Sequence, residues 1–130
     1  MARSAAYRKY FLTINNPVTH GFTHETIKGV LSSFTNIAYW CICDEIGEQG
    51  TYHTHVYLCS PNAIQFTTLQ QRFYGAHIEP AQGSHRENRD YVRKEGKWLN
   101  DAKHGTSLPD TFEESGELPP ERKKTDFLNT

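Results

Sequence analysis

The chain reads as an α+β domain in which about five strands form a mostly antiparallel sheet flanked by helices. Three observations predict it. Period-two stretches rich in β-branched and aromatic residues recur at 7–15, 37–45 and 53–59. Between and after them lie segments with helical periodicity and capping residues at their starts. A length of 130 residues suits one core of the usual domain size, about 100–200 residues.

The elements follow in order. In residues 7–15, Tyr10, Leu12 and Ile14 alternate with Phe11, Thr13 and Asn15, and Asn16-Pro17 ends the strand. Thr23 caps a helix reaching about Phe34, with Ile27, Val30, Leu31 and Phe34 on one face. Residues 37–45 and 53–59 read as two strands joined through a turn at Glu48-Gln49-Gly50, and Pro61 is expected to break the second. A short helix over 67–74 stops at Gly75, and residues 76–79 form a short strand. Ser84-His85-Arg86-Glu87 fits the S-x-x-E capping box that opens a helix running to about Glu95, with Gly96 as its stop. Residues 97–100 are the expected last edge strand. The order β-α-β-β-α-β-α-β, with hairpin-linked strands and helices on one side, suits a two-layer α+β sandwich. Two segments divide the chain: a domain over 1–104, and a polar, Pro-containing stretch over 105–130 read as a loosely packed extension or linker.

Hydrophobic residues make up 36 % of the sequence and charged residues 22 %, unlike a disordered composition. No apolar run reaches the roughly 18 residues of a membrane span. The opening residues lack the apolar stretch and cleavage site of a secretory leader. Cys41, Cys43 and Cys59 follow no disulfide-scaffold spacing and read as reduced thiols of an intracellular protein. Fourteen Lys and Arg against fifteen Asp and Glu give a net charge of −1. That excludes a uniformly basic nucleic-acid coat but not a local basic face. Basic residues gather at Arg3, Arg8 and Lys9 and again over 72–97. Seven histidines are the first hint of metal chemistry.

His53-Thr54-His55 is the sharpest motif. On a strand, side chains at i and i+2 share a face with Cα atoms about 7 Å apart, so both imidazoles can converge on one ion. Glu45, eight residues earlier on the partner strand, falls almost opposite them. One carboxylate and two imidazoles suit one divalent ion such as Mn²⁺, Mg²⁺ or Zn²⁺, with positions left for water or substrate. Two blander accounts compete: a solvated sheet face, or a closed zinc site recruiting Cys59 with Cys41 or Cys43. Tyr91 and Lys94 are spaced three apart on the last helix and share a face. A lysine there favours a phenolate nucleophile and can hold a phosphate. The competing account is a core aromatic beside a solvated charge.

With these motifs in this order, residues 7–100 resemble the HUH endonuclease domain of replication-initiator (Rep) proteins of circular single-stranded DNA viruses: circoviruses, nanoviruses and geminiviruses. The F-T-L-N-N-type motif matches Phe11-Leu12-Thr13-Ile14-Asn15-Asn16-Pro17. The H-U-H motif matches His53-Thr54-His55, with Thr54 where the family prefers a bulky apolar residue. The metal glutamate matches Glu45, and Y-x-x-K matches Tyr91 and Lys94. The resemblance implies a fold like that of RNA-recognition motifs. It implies site-specific nicking and rejoining of single-stranded DNA at an origin stem-loop, with Tyr91 forming a 5′-phosphotyrosine that starts rolling-circle replication. It also implies one divalent ion, Mn²⁺ or Mg²⁺, on Glu45, His53 and His55, and action in the host nucleus. Full-length relatives of this kind add a helicase domain and oligomerise, whereas this chain is expected to be monomeric. Arg8, Tyr10, Thr13, Asn15, Asn16, Tyr57, His77 and Asn88 are the expected DNA contacts, with Trp40 a further stacking group and His77 weighed against a packed strand histidine. Two rival functions remain open: an RNA-recognition-motif-like binding module without covalent chemistry, and a metal-dependent hydrolase that uses water.

Overall fold

The computed structural model describes residues 5–47, 49–95 and 107–121. Its elements are β1 (Ala6–Asn15), α1 (His24–Ser32), β2 (Tyr39–Ile46), β3 (Tyr52–Gln65), α2 (Phe66–Arg72), β4 (His77–Pro80), α3 (His85–Arg93) and β5 (Ser107–Gly116). The strands form one sheet in the order β4-β1-β3-β2-β5, with every neighbouring pair antiparallel. The α+β class and the element order agree with the sequence reading.

Alternation along the strands sorts side chains to two faces. One face carries Tyr10, Leu12, Ile14, Ile42, Val56 and Leu58, packed against Ile27 and Leu31 of α1 and Leu69 of α2. The other carries Tyr39, Cys41, Cys43, Tyr57 and Cys59, packed against Val92 of α3. Each large apolar side chain buried this way stabilises the fold by about 1.5–3 kcal/mol. Helices therefore cover both faces of the sheet rather than one. The third helix lies on the second face because its buried residue, Val92, meets the cysteine and tyrosine positions of the central strands. All three cysteines are buried free thiols.

The structure corrects two boundaries. β3 does not end at Pro61 but runs to Gln65. The β1–β3 ladder passes from Lys9↔Cys59 to Tyr7↔Ile64 through an irregularity. Pro61 sits in that gap, where its missing N–H removes no regular ladder bond. The fifth strand lies at 107–116, inside the stretch read as a loose extension, and pairs with β2 from Tyr39↔Gly116 to Glu45↔Ser107. The polar composition that suggested a linker is that of an edge strand, with Pro109, Asp110 and Glu114 tolerated beside solvent. Gly116 closes the seam in a left-handed conformation, φ 85°, where a Cβ would collide with the Ala38 carbonyl oxygen. The edge strand expected over 97–100, and the Gly96 stop, lie outside the described residues.

Candidate metal and nucleophile site

The hairpin of β2 and β3 places Glu45 directly across from His53, and Cys43 across from His55. Gly47 and Gly50 make the turn: Gly50 N donates to Gly47 O at 2.9 Å, and Gly50 takes φ 83°. On the other side of β3, Thr13 faces His55 and Asn15 faces His53. His53 Nε2 lies 2.6 Å from Glu45 Oε1, and His55 Nε2 lies 3.7 Å from the same oxygen. One donor atom from each of the three residues falls within 4.8 Å of the others, the only such cluster among the described residues. Burial pushes the Glu45 carboxyl up, but the His53 hydrogen bond and the His55 and Lys94 charges outweigh it and hold the group down at about 2. An ionised carboxylate with two imidazole nitrogens turned to the same oxygen is a fitting donor set for a divalent cation. No cysteine joins the cluster, which disfavours the closed zinc alternative.

α3 brings the second motif to this point. Ser84 caps it with a complete capping box: Glu87 N donates to Ser84 Oγ at 3.0 Å, and Ser84 N to Glu87 Oε1 at 3.2 Å. The Tyr91 ring stacks on His55, centroids 5.6 Å apart and planes 24° from parallel, and meets Phe11 edge-on at 5.5 Å. The helix ends at Arg93, earlier than expected, because Lys94 turns left-handed at φ 58°. That turn sends its side chain inward. The Lys94 ammonium is fully buried, 3.0 Å from Glu45 Oε2, donates to the Tyr91 carbonyl at 2.8 Å, and lies 3.7 Å over the Tyr91 ring. It therefore ties the Glu45 carboxylate to α3, the helix that carries Tyr91, from behind. It does not line the open cleft, where it was expected to meet a phosphate. Its hold on Oε2 leaves Oε1 to the imidazole side.

In front of Tyr91 lies a cleft of about 440 Å³, lined by Phe11, Thr13, His55, Glu79, Gln82 and Asn88 among others. Thr13 lines this cleft. Asn88 lines the cleft, but its amide donates to Gln82 O at 2.7 Å and Ser84 O at 2.8 Å, so it fastens the loop before α3. His77 faces Thr13 from β4 with its side chain 70 % exposed, so it stands on the surface rather than packed. Asn15 is exposed beside His53. Asn16 instead makes the turn after β1, at φ 47°, which Asn tolerates better than most residues, and its N–H donates to Tyr52 O. Arg8 is exposed at the far end of β1, beside Lys9, Cys59 and Pro119. Two expected stacking tyrosines are core residues. Tyr10 is fully buried on the α1/α2 face, donating to Ile64 O at 2.5 Å, and Tyr57 is fully buried with its hydroxyl 2.5 Å from His85 Nδ1. Trp40 likewise packs on the α1/α2 face. Exposed aromatic signals and buried ones look alike in sequence; only the strand phase separates them. By that phase Phe11 and Glu79 line the cleft, and the sequence reading named neither as a candidate.

Behind the Glu45, His53 and His55 cluster, on the opposite face, Asp44 anchors the hairpin. It accepts from Thr54 Oγ1 at 2.6 Å, from the Tyr52 hydroxyl, and from His24 Nε2 at 2.8 Å. The other nitrogen, His24 Nδ1, lies 2.7 Å from Glu113 Oε2 of β5. Both ring nitrogens face carboxylates, and the Asp44 hydrogen bond raises the His24 pKa most.

Comparison with known proteins decides the family. The family model of viral replication proteins matches residues 7–95, which spans β1 to the end of α3. The chain belongs to this family. Among its relatives, the replication-associated protein of Pigeon circovirus is 35 % identical over 98 residues, covering 75 % of this chain and 29 % of that protein. The replication-associated protein of Beak and feather disease virus is 36 % identical over 90 residues, covering 68 % and 29 %. That of Canary circovirus is 32 % identical over 94 residues, covering 72 % and 31 %. The chain thus spans about 30 % of the length of these relatives. In this chain Glu45, His53 and His55 group on one sheet face with the Tyr91 ring over His55.

Proposed function

We propose that this viral replication protein cuts and rejoins single-stranded DNA by covalent catalysis through Tyr91, at an origin stem-loop, to start rolling-circle replication. The observation that carries the reading is the Tyr91 ring stacked on the metal-cluster imidazole of His55 at the mouth of an open cleft. In the first step the Tyr91 oxygen bonds to the scissile phosphorus while the bond from phosphorus to the 3′-oxygen breaks. The phenolic proton passes to solvent and the departing 3′-oxygen takes one up. The product is a 5′-phosphotyrosine and a 3′-hydroxyl. The linkage keeps the phosphodiester's energy, so attack by a 3′-hydroxyl reverses the step without ATP. Glu45, His53 and His55 would hold Mn²⁺ or Mg²⁺, which when bound polarises phosphate oxygens and orients the phosphate. Phe11 and His55 fix the ring of Tyr91, and Lys94 holds its helix against Glu45. Thr13 and His77 offer polar contacts along the strand's path. In this reading the protein works in the host nucleus, and the rest of a full-length homologue supplies the helicase and the oligomer.

The test is incubation with a labelled origin-like oligonucleotide and Mn²⁺, followed by a denaturing gel. A labelled band at the mass of protein plus DNA, lost in Tyr91→Phe and in excess EDTA, is the expected result. Cutting without an adduct makes water the nucleophile, and binding without cutting leaves only a binding module.

A further inference from the structure

The cleft in front of Tyr91 holds a carboxylate that takes part neither in the metal cluster nor in the attack. Glu79 of β4 stands directly across from Phe11 of β1, and its neighbour in alternation, His77, stands across from Thr13. Glu79 therefore shares the face of Thr13, His55 and Tyr91, and it lines the same cleft. Its side chain is 58 % exposed, with His77 Nε2 3.6 Å away. A carboxylate on a surface that receives a polyanion repels every phosphate near it. It favours binding only where it meets hydrogen-bond donors, and in single-stranded DNA those donors lie on the bases. Cytosine, adenine and guanine each carry an exocyclic amino group, whereas thymine presents carbonyl oxygens at those positions, and its one donor, N3–H, lies between two of these oxygens, which repel a carboxylate. The half-buried Phe11 ring beside Glu79 supplies an apolar surface on which a base can stack.

We propose that Glu79 is a specificity-determining residue that accepts a hydrogen bond from the amino edge of the base seated against Phe11, beside the scissile phosphate, and so discriminates against thymine there. This rests on the single-stranded DNA reading above.

The test selects bound oligonucleotides from a pool of single strands with randomised positions, using the 130-residue chain in EDTA so that binding is read without cutting. The bound pools of the unmodified protein, Glu79→Ala and Glu79→Gln are sequenced, and thermal melting checks that both variants fold. The unmodified protein should deplete thymine about tenfold at one position, the size of a single base-edge contact. In Glu79→Ala that depletion should fall below about twofold with overall affinity kept or raised, because a repulsive charge is gone. In Glu79→Gln the amide also donates, so thymine should be readmitted at that position. Identical pools, or an equal loss of binding for every base, would overturn the assignment. A covalent adduct together with identical pools sinks the Glu79 role alone. The depletion without any adduct from the unmodified protein leaves the Glu79 role standing and removes the nicking chemistry.

Discussion

Lys94 shows how a single residue can be placed correctly and used differently from its sequence reading. Its spacing from Tyr91 suggested a charge beside the phenol. The structure puts its ammonium, fully buried, between Glu45 and the Tyr91 ring face. The left-handed turn that sends it there cannot be read from i, i+3 spacing, which assumes a continuing helix. Glu45, His53 and His55 were legible because strand alternation and a two-stranded register leave little freedom. After the His53 hydrogen bond, Lys94 adds a fully buried positive charge that helps keep Glu45 ionised. Lys94→Met keeps the length and removes the charge, leaving a buried carboxylate short of a partner. That variant should lose about 3–5 kcal/mol of stability in EDTA, the usual cost of breaking a buried pair. Mn²⁺ should then raise its melting temperature more than it raises that of the unmodified protein, since the ion replaces the missing charge. Equal Mn²⁺ shifts in the two proteins would show that Lys94 does not support the carboxylate.

At the scale of elements, capping and periodicity made β1, α1 and the start of α3 legible. The end of α3 and the length of β3 were not, because they depend on a left-handed lysine and on an irregularity in a neighbouring strand. The capping box holds the helix that presents Tyr91. Ser84→Ala should lower stability by about 1 kcal/mol and slow adduct formation without abolishing it; circular dichroism melts and gel time courses measure the two. α1 is held differently, by His24 between Asp44 of β2 and Glu113 of β5. The His24 pKa is raised from 6.5, first by the Asp44 hydrogen bond. A raised pKa means that the contribution is full below about 6.5 and is lost as pH rises through the higher folded value. Asp44 and Glu113 are lowered, the first against the cost of burial by its His24, Thr54 and Tyr52 hydrogen bonds, the second mainly by Lys28. Their contributions disappear instead as pH falls into the carboxylate range. Denaturant unfolding of the unmodified protein and His24→Gln should therefore differ most below about pH 6.5 and converge as pH rises through the raised His24 value. A gap that widens with rising pH would refute the imidazolium clamp.

At the scale of the whole molecule, the stretch that composition marks as a tail completes the sheet and steadies α3, the helix that carries Tyr91. Arg89 of α3 donates to Glu114 of β5 at 2.8 Å, and Arg93 lies 4.6 Å over the Phe112 ring. A polar edge strand and a linker have the same composition, and what separates them is pairing with β2, a long-range contact that no local pattern reports. Ending the chain after residue 104 would strip β5 from β2 and release α3. The shortened protein should melt about 10 °C or more below the full chain, or fail to unfold cooperatively. An unchanged midpoint would mean that the sheet is complete without β5. Covalent attack by Tyr91 is decided by where the DNA becomes attached. After reaction with an oligonucleotide and Mn²⁺, nuclease trimming and trypsin digestion, cleavage after Arg89 and Arg93 isolates residues 90–93 with Tyr91 as the sole hydroxyl-bearing side chain. Tandem mass spectrometry should find that peptide heavier by one nucleotidyl residue, a nucleoside monophosphate less water, with the added mass on Tyr91. The same mass on another tyrosine, or on no peptide while the oligonucleotide is cut, would contradict the account.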